Sequence, residues 1–314
     1  MISNDSRIDT DVRGRTVDIV GAIEAGGTKF VCAIATADGE LLDQVRFPTT
    51  SPRPDYDEAM RFIVSAAGQA GELRGVGIGH FGPLDVDPGS QTYGKISKTP
   101  KEGWSGANVL DEIARHTDLP VAIDTDVNCA ALAEQRWGAG QDVDNLIYIT
   151  VGTGIGAGII CDGRILYGKA HPEVGHMMLP KLAEDRDFDG ACPYHGARCA
   201  EGLAAGPAIE KRWQCTASSL GETHAAWDIE ANYLAMLIIN LLLVTSPQKI
   251  ILGGGVMAQA HLFPAIRTRF VELLNGYADL SVLTDSIDDL IVPTGLGANS
   301  GILGASAIAA RFCR

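Results

Sequence analysis

Apolar residues fall into short runs separated by glycine turns, a pattern typical of an α/β fold. The first apolar run, Val20 to Ile23, predicts a strand that ends at the turn Gly26-Gly27-Thr28. The segments "KFVCAIA" and "ELLDQVRF", joined by the turn "ADG", predict two more strands. A helical pattern comes next in "DEAMRFIVSAAGQAG", then a buried strand in "GVGIGHFG". The chain therefore opens with a hairpin and continues with alternating helices and strands.

The same order occurs a second time. Residues Leu146 to Val151 predict a strand, the turn Gly152-Thr153-Gly154 follows, and a second strand ends at Ile160 before the turn "CDG" and a third strand, "RILYG". The alternative is that any two hairpins look alike. The repeat predicts two related α/β domains, which suits a length of 314 residues. We expect a polar tail at 1–16, an N-terminal domain of 17–125 plus 296–314, and a C-terminal domain of 126–295.

Composition excludes several classes of protein. The net charge of −14 disfavours binding to nucleic acid, which needs a basic surface. Seven scattered cysteines do not form a disulfide scaffold, and the polar N-terminus has no signal peptide pattern. The most apolar run, Tyr233 to Val244, is shorter than the ~20 residues that span a bilayer and predicts a buried helix. We expect a cytoplasmic protein with no membrane partner.

Three glycine turns come directly after predicted strands, where exposed backbone N–H groups can bind phosphate. The candidate nucleotide contacts in these turns are Gly26, Gly27, Thr28 and Lys29; Gly152, Thr153 and Gly154; Gly253, Gly254 and Gly255. Each turn alone is more typical of ordinary chain reversal. Together they predict a nucleotide held in a cleft between two domains. None has P-loop spacing, and "VGTGIGAG" does not open a helix as a dinucleotide-binding fingerprint does.

A pair of acids ends a predicted strand in "AIDTDVNCAALAE". Asp124 and Asp126 lie two residues apart, so on an extended segment they point the same way. A carboxylate here can deprotonate a hydroxyl during phosphoryl transfer. Asp126 can equally be the N-cap of the following helix. The pattern leaves both roles open.

The stretch "CPYHGARCAEG" contains three candidate metal ligands, Cys192, His195 and Cys199. A closed tetrahedral zinc site needs a fourth ligand, and His171 or His176 in "HPEVGH" can supply it. A disulfide or a chance cluster is the alternative, although a reducing compartment disfavours the disulfide.

Six motifs occur here in the order found in the ROK family of sugar kinases and repressors: "IEAGGTKF", "DTDVNCAALAE", "VGTGIGAG", "HPEVGH", "CPYHGARCAEG" and "ILGGGV". The chain resembles this family from Val17 onward, and "HPEVGH" with "CPYHG" is most similar to its fructokinase branch. The family belongs to the actin/hexokinase-like ATPase superfamily. The resemblance implies two ribonuclease-H-like/actin-like domains with an interdomain nucleotide cleft, ATP and Mg²⁺, and a homodimer.

The resemblance also implies roles for individual residues. It makes Asp126 the general base and selects His176 as the fourth ligand of a structural zinc, within a zinc-binding loop at 171–201. The expected sugar contacts are Gly82, Pro83, Asn128, Glu173, His176 and Glu201. On the residues alone, Gly82-Pro83 is more typical of a β-turn, and Glu201 suits the first turn of a helix. The family often has Asn where this chain has Thr125, which puts one sugar hydrogen bond in doubt.

We predict an ATP-dependent hexose kinase that converts fructose to fructose 6-phosphate. The same pattern fits a hexokinase acting on glucose, mannose or N-acetylmannosamine, although Thr125 and "CPYH" disfavour it. A sugar-responsive repressor needs a DNA-binding domain, for which the 17 to 20 polar residues before the first strand are too few. A sugar-binding pseudo-kinase is disfavoured by Asp126 and by the two phosphate turns.

Overall fold

The computed structural model describes residues 17–277 and 286–313, so the expected polar tail at 1–16 lies outside the described residues. The chain forms two compact units. Unit 1 holds the described residues up to Cys129 and those from Gly301 onward, and unit 2 is Ala130–Ser300.

Unit 1 is built on a five-stranded sheet whose strand order is β3-β2-β1-β4-β5. Strand β2 pairs antiparallel with both β1 and β3, whereas β4 and β5 run parallel to β1. The strands are β1 (Asp18–Ala25), β2 (Lys29–Thr36), β3 (Leu41–Pro48), β4 (Glu72–His80) and β5 (Val121–Thr125).

Unit 2 repeats this topology with the order β10-β9-β6-β7-β8. Again three strands are antiparallel, and two more run parallel to the first. The strands are β6 (Leu146–Val151), β7 (Ile155–Cys161), β8 (Arg164–Ile165), β9 (Lys249–Gly253) and β10 (Ile291–Pro293). The prediction of two related α/β halves is confirmed. Strand β8 is shorter than the "RILYG" pattern suggested.

Helices lie between the strands of both sheets. In unit 1 these are α1 (Pro52–Ala70), α2 (Val109–Ile113) and the start of α3 (Asp126–Trp137), which continues into unit 2. Unit 2 holds α4 (Ala200–Ala204), α5 (Gly206–Trp213), α6 (Ala226–Thr245), α7 (Leu262–Leu274) and α8 (Ile287–Leu290). The last helix, α9 (Ser300–Ala309), belongs to unit 1 from Gly301 onward.

Helix α6 is apolar on nearly all faces because it crosses the core of unit 2. Among the described residues it is the one helix long and apolar enough to cross a membrane, by length and composition alone. Its residues Tyr233, Leu237 and Ile238 are at most 1% exposed and pack with both β6 and α7 in one apolar cluster. The buried helix expected from Tyr233 to Val244 is present, although Val244 at its end is 80% exposed.

The same helix buries one carboxylate without a hydrogen-bond partner. Glu230 is 1% exposed, and neither of its side-chain oxygens has a hydrogen bond. Burial raises the pKa of Glu230 well above its usual value, and Arg212 offsets this only in part. Since the unfolded chain loses this proton near pH 4.5, folding stability falls as pH rises above that value.

We therefore expect Glu230→Gln to raise the melting temperature by a few degrees at pH 7, and the gain to shrink toward pH 4.5. For each unit by which folding raises a carboxyl pKa, the free energy of unfolding falls by about 1.4 kcal/mol once the pH is above the folded-state pKa. Thermal melts at several pH values measure this effect. Glu222→Gln makes the same change at an exposed position and is the matched control. A glutamine variant less stable than the parent at pH 7 would contradict the prediction.

Candidate functional site

The junction between β5 and α3 brings the acidic pair together with Thr125. Asp124 is buried, and its Oδ1 accepts hydrogen bonds from the Thr125 N–H and the Asn128 amide, both at 2.7 Å. The Thr125 hydroxyl accepts from the Asn128 N–H at 3.2 Å, which is the N-cap interaction of α3. Thr125 therefore caps the helix, and Asp124 holds the junction in place.

Asp126 is half-buried at the first position of α3, and its Oδ1 accepts a hydrogen bond from the Val127 N–H at 2.9 Å. The sequence left open whether Asp126 caps α3 or acts as a base, and the structure gives the cap to Thr125. Glycines place the helix start against the sheet. A Cβ at Gly79 in β4 would lie 3.4 Å from the Asp126 Cα, and one at Gly304 in α9 would lie 1.9 Å from the Cys129 carbonyl. The base role of Asp126 remains a prediction.

The segment after β4 is a folded loop rather than a helix or strand. Gly82 is half-buried and joined to the exposed Pro83 by a cis peptide. Asp85 organises the rest of this loop, since its carboxylate accepts hydrogen bonds from the Ser90 and Thr92 hydroxyls at 2.6 and 2.5 Å. The loop is consistent with the turn expected from the residues alone, and its contact with sugar remains a prediction.

The first glycine turn lies between β1 and β2. Its Gly26 carbonyl accepts from the Thr49 hydroxyl at 2.7 Å, and its Thr28 carbonyl accepts from the Thr49 N–H at 3.0 Å. The N–H groups of Gly27 and Thr28 have no hydrogen bond to the described part of the chain. A Cβ at Gly27 would meet no atom within 4 Å, so the turn is open to a ligand.

Glu24, two residues before this turn, was not among the site residues expected from the sequence. Its Oε2 is buried and has no hydrogen-bond partner. Burial raises the pKa of Glu24, while Lys29 and Arg46 act in the opposite direction. A buried carboxylate oxygen without a partner, two residues before a glycine turn, fits Mg²⁺, which prefers oxygen ligands. The acid before the glycines of "IEAGGT" was the signal present in the sequence.

The second and third glycine turns lie side by side in unit 2. A Cβ built on Gly152 would be 3.9 Å from the Gly255 N. Gly254 has a φ of +91° and lies against the backbone of Val151. A Cβ built on Gly254 would be 2.5 Å from the Val151 carbonyl oxygen. Glycine at 254 is therefore required by the packing of the third turn against the end of β6, and contact of either turn with a nucleotide remains a prediction.

Glu201, on α4, braces the second turn. Its Oε2 accepts a hydrogen bond from the Ile155 N–H at 3.1 Å, and a Cβ at Gly154 would come within 2.6 Å of the same oxygen. A side chain at 154 would therefore displace the Glu201 carboxylate from this position. Contact between Glu201 and a sugar remains a prediction.

The four predicted metal ligands converge in unit 2. Ligand atoms of His176, Cys192, His195 and Cys199 all lie within 4.8 Å of one another, the one such group found among the described residues. His171 stays outside it, with its Nδ1 3.7 Å from the Glu173 carboxylate. Spacing alone left the two histidines open, and the folded chain brings together the one that the family resemblance selects, His176.

The spacing of these atoms fits zinc. The Cys192 Sγ lies 3.8 Å from His176 Nδ1 and 3.7 Å from His195 Nδ1, and the Cys199 Sγ lies 3.9 Å from His176 Nδ1. Zinc bonds of about 2.3 Å to sulfur and about 2.0 Å to nitrogen would set such pairs about 3.5 Å apart. Since His176 faces the cluster through Nδ1, its Nε2 is left for another partner.

Comparison with known proteins identifies the proteins that this chain resembles. The sequence profile of the ROK family matches residues 20–311. A putative fructokinase of Bacillus subtilis is 45% identical over 93% of this chain and 95% of its own length. A fructokinase of Pediococcus pentosaceus is 44% identical over 93% of this chain and 97% of its own. The ROK hexokinase of Thermus thermophilus superposes with a TM-score of 0.74 at 25% identity, covering 92% of this chain and 97% of that one.

Proposed function

This chain belongs to the ROK family, and from that premise we propose that it is an ATP-dependent fructokinase that phosphorylates fructose at its 6-hydroxyl. The proposal rests on sequence identity: over 93% of its length, the chain is 44–45% identical to a fructokinase and a putative fructokinase. The two repeated units agree with it, since this fold is that of the ROK sugar kinases. No feature of the described residues conflicts with this activity.

In the proposed reaction, Asp126 accepts the proton of the 6-hydroxyl while that oxygen attacks the terminal phosphorus of ATP. The new bond joins the sugar oxygen to phosphorus, the bond to the bridging oxygen of ADP breaks, and ADP leaves with the electron pair. Asp126 suits this role because Thr125 caps α3 and Asp124 is engaged with Asn128.

The glycine turns are the proposed nucleotide contacts. In unit 1, the N–H groups of Gly27 and Thr28 donate to phosphate, with Lys29 beside them. In unit 2, the Gly152–Gly154 turn contacts phosphate, and Gly253–Gly255 lies near the adenosine. Glu24 would hold Mg²⁺, which would supply positive charge to neutralise the phosphates.

The cluster of His176, Cys192, His195 and Cys199 is proposed to hold a structural Zn²⁺. Two thiolates and two imidazoles saturate the metal, which leaves no open position for catalysis. Held by these four residues, zinc would fix the segment that carries Glu173 and His176 and the start of α4 with Glu201. These are the three residues proposed to bind sugar hydroxyls. Gly82, Pro83 and Asn128 are the proposed contacts from unit 1.

An ADP-release assay across fructose, glucose, mannose and N-acetylmannosamine tests the proposed function. We expect the highest kcat/KM with fructose, at least about tenfold above the others, since a pocket built to hydrogen-bond one pattern of hydroxyls disfavours another. The product, fructose 6-phosphate, is identified by its conversion through phosphoglucose isomerase and glucose-6-phosphate dehydrogenase.

A preference for one of the three other sugars would replace fructokinase with the hexokinase alternative. DNA binding without sugar-dependent ADP release would favour a regulator. We also propose a cytoplasmic homodimer, which light scattering of the purified protein tests.

A further inference from the structure

All three carbonyls of the first glycine turn are bound to the protein, and one of them contacts a cation. Thr49 contacts Gly26 and Thr28, and the Gly27 carbonyl accepts a hydrogen bond from the Lys101 ammonium. Lys101 lies 74 positions away in the sequence. With its carbonyls engaged, the turn has the N–H groups of Gly27 and Thr28 and the Thr28 hydroxyl left to donate, and it also holds a positive charge.

The backbone around Lys101 is firmly held. Trp104 is fully buried, and its indole N–H donates to the Thr50 carbonyl at 3.3 Å. The Trp104 N–H in turn donates to the Lys101 carbonyl at 3.3 Å. Thr99 and Ser105 close the same loop with two hydrogen bonds. The backbone from which the Lys101 side chain extends is therefore held by a buried aromatic residue, and the ammonium itself is held by the Gly27 carbonyl.

The charge of Lys101 has no counter-ion in the described part of the chain, since no carboxylate lies within 4.0 Å of its ammonium. An ammonium has three N–H donors, and the Gly27 carbonyl takes one of them. Two donors and a full positive charge thus remain at the turn that also carries the N–H groups of Gly27 and Thr28. A group with several anionic oxygens is the ligand that matches this arrangement.

We propose that Lys101 binds the phosphoryl group that is transferred: the terminal phosphate of ATP before the reaction and the phosphate of fructose 6-phosphate after it. This rests on the proposed function. A fixed ammonium would stabilise the charge on the equatorial oxygens of the phosphoryl group as it moves from ADP to the sugar oxygen. Lys101 is then a catalytic residue, in addition to Asp126.

Equilibrium binding by calorimetry to Lys101→Met separates this role from others, because methionine keeps much of the length and removes the charge. We expect binding of ATP and of fructose 6-phosphate to weaken by about 10- to 100-fold, the usual effect of losing a charge-assisted hydrogen bond. Binding of ADP, AMP and fructose stays within about twofold, because none of them carries the transferred group. Lys101→Arg restores part of the lost affinity.

Lys98→Met is the matched control, since Lys98 is exposed three residues earlier in the same loop, and it should leave every affinity unchanged. If Lys101→Met weakened the binding of ATP, ADP, AMP and fructose equally, or lowered the melting temperature, Lys101 would only stabilise the loop. Either result would overturn the proposal. Unchanged ATP binding, or equal loss of ATP and ADP with fructose 6-phosphate unaffected, would also overturn it. A wild-type protein that phosphorylates no hexose would instead refute the proposed function, while the nucleotide series still reports on Lys101.

Discussion

Replacing Asp126 with asparagine is expected to lower kcat with fructose by about 10²- to 10⁴-fold, the usual contribution of a general base. Asparagine has nearly the same shape but cannot accept the proton of the 6-hydroxyl. The fold should tolerate it, because the N-cap of α3 is Thr125 and the buried hydrogen bonds of the junction belong to Asp124. Steady-state kinetics measure the loss of turnover, and equilibrium binding of fructose measures any loss of affinity. We expect fructose binding to change little.

The control for this substitution is Asp228→Asn, which removes an exposed acid from the first turn of α6 and should leave turnover unchanged. If Asp126→Asn kept turnover near that of the parent with every accepted sugar, the general base would have to be another group. Equal losses of fructose binding and turnover would instead make Asp126 a binding residue.

Elemental analysis of protein purified without chelator is expected to find about one zinc per chain. Cys199→Ser should remove most of it, because Cys199 is buried and supplies one of four converging ligand atoms. Metal binding contributes directly to folding stability, so we expect the melting temperature to fall by roughly 10 °C, which corresponds to a few kcal/mol for a chain of this size. The KM for fructose should rise more than the KM for ATP.

Cys215→Ser changes a partly exposed cysteine outside the cluster and should alter neither the zinc content nor the melting temperature. A protein without zinc, or a Cys199→Ser variant that retains it, would rule out the proposed site. If zinc were lost and both KM values stayed unchanged, the metal would stabilise the loop without shaping the sugar pocket.

Much of the candidate site could be predicted from local patterns. The glycine turns after Ala25 and Val151 were recognisable because a strand that ends in glycines has few alternatives. Cys192, His195 and Cys199 were recognisable because their ligand atoms come from one short loop. Glu24 was overlooked: the acid before the glycines was visible in the sequence, but its burial without a hydrogen-bond partner depends on the packing of distant segments.

The sequence by itself determined the repeated hairpin and strand order, the acid at the start of α3 and three of the four metal ligands, because these depend on neighbours a few residues apart. Only the tertiary structure assigned the cap to Thr125 and brought Lys101 to the Gly27 carbonyl. It also brought His176, which the family resemblance selected and local spacing did not, to the other three ligands. Those choices depend on contacts between distant segments, or on which of two adjacent side chains meets a backbone group. The packing of strands, helices and loops decides such contacts, and the local pattern of polar and apolar residues does not record them.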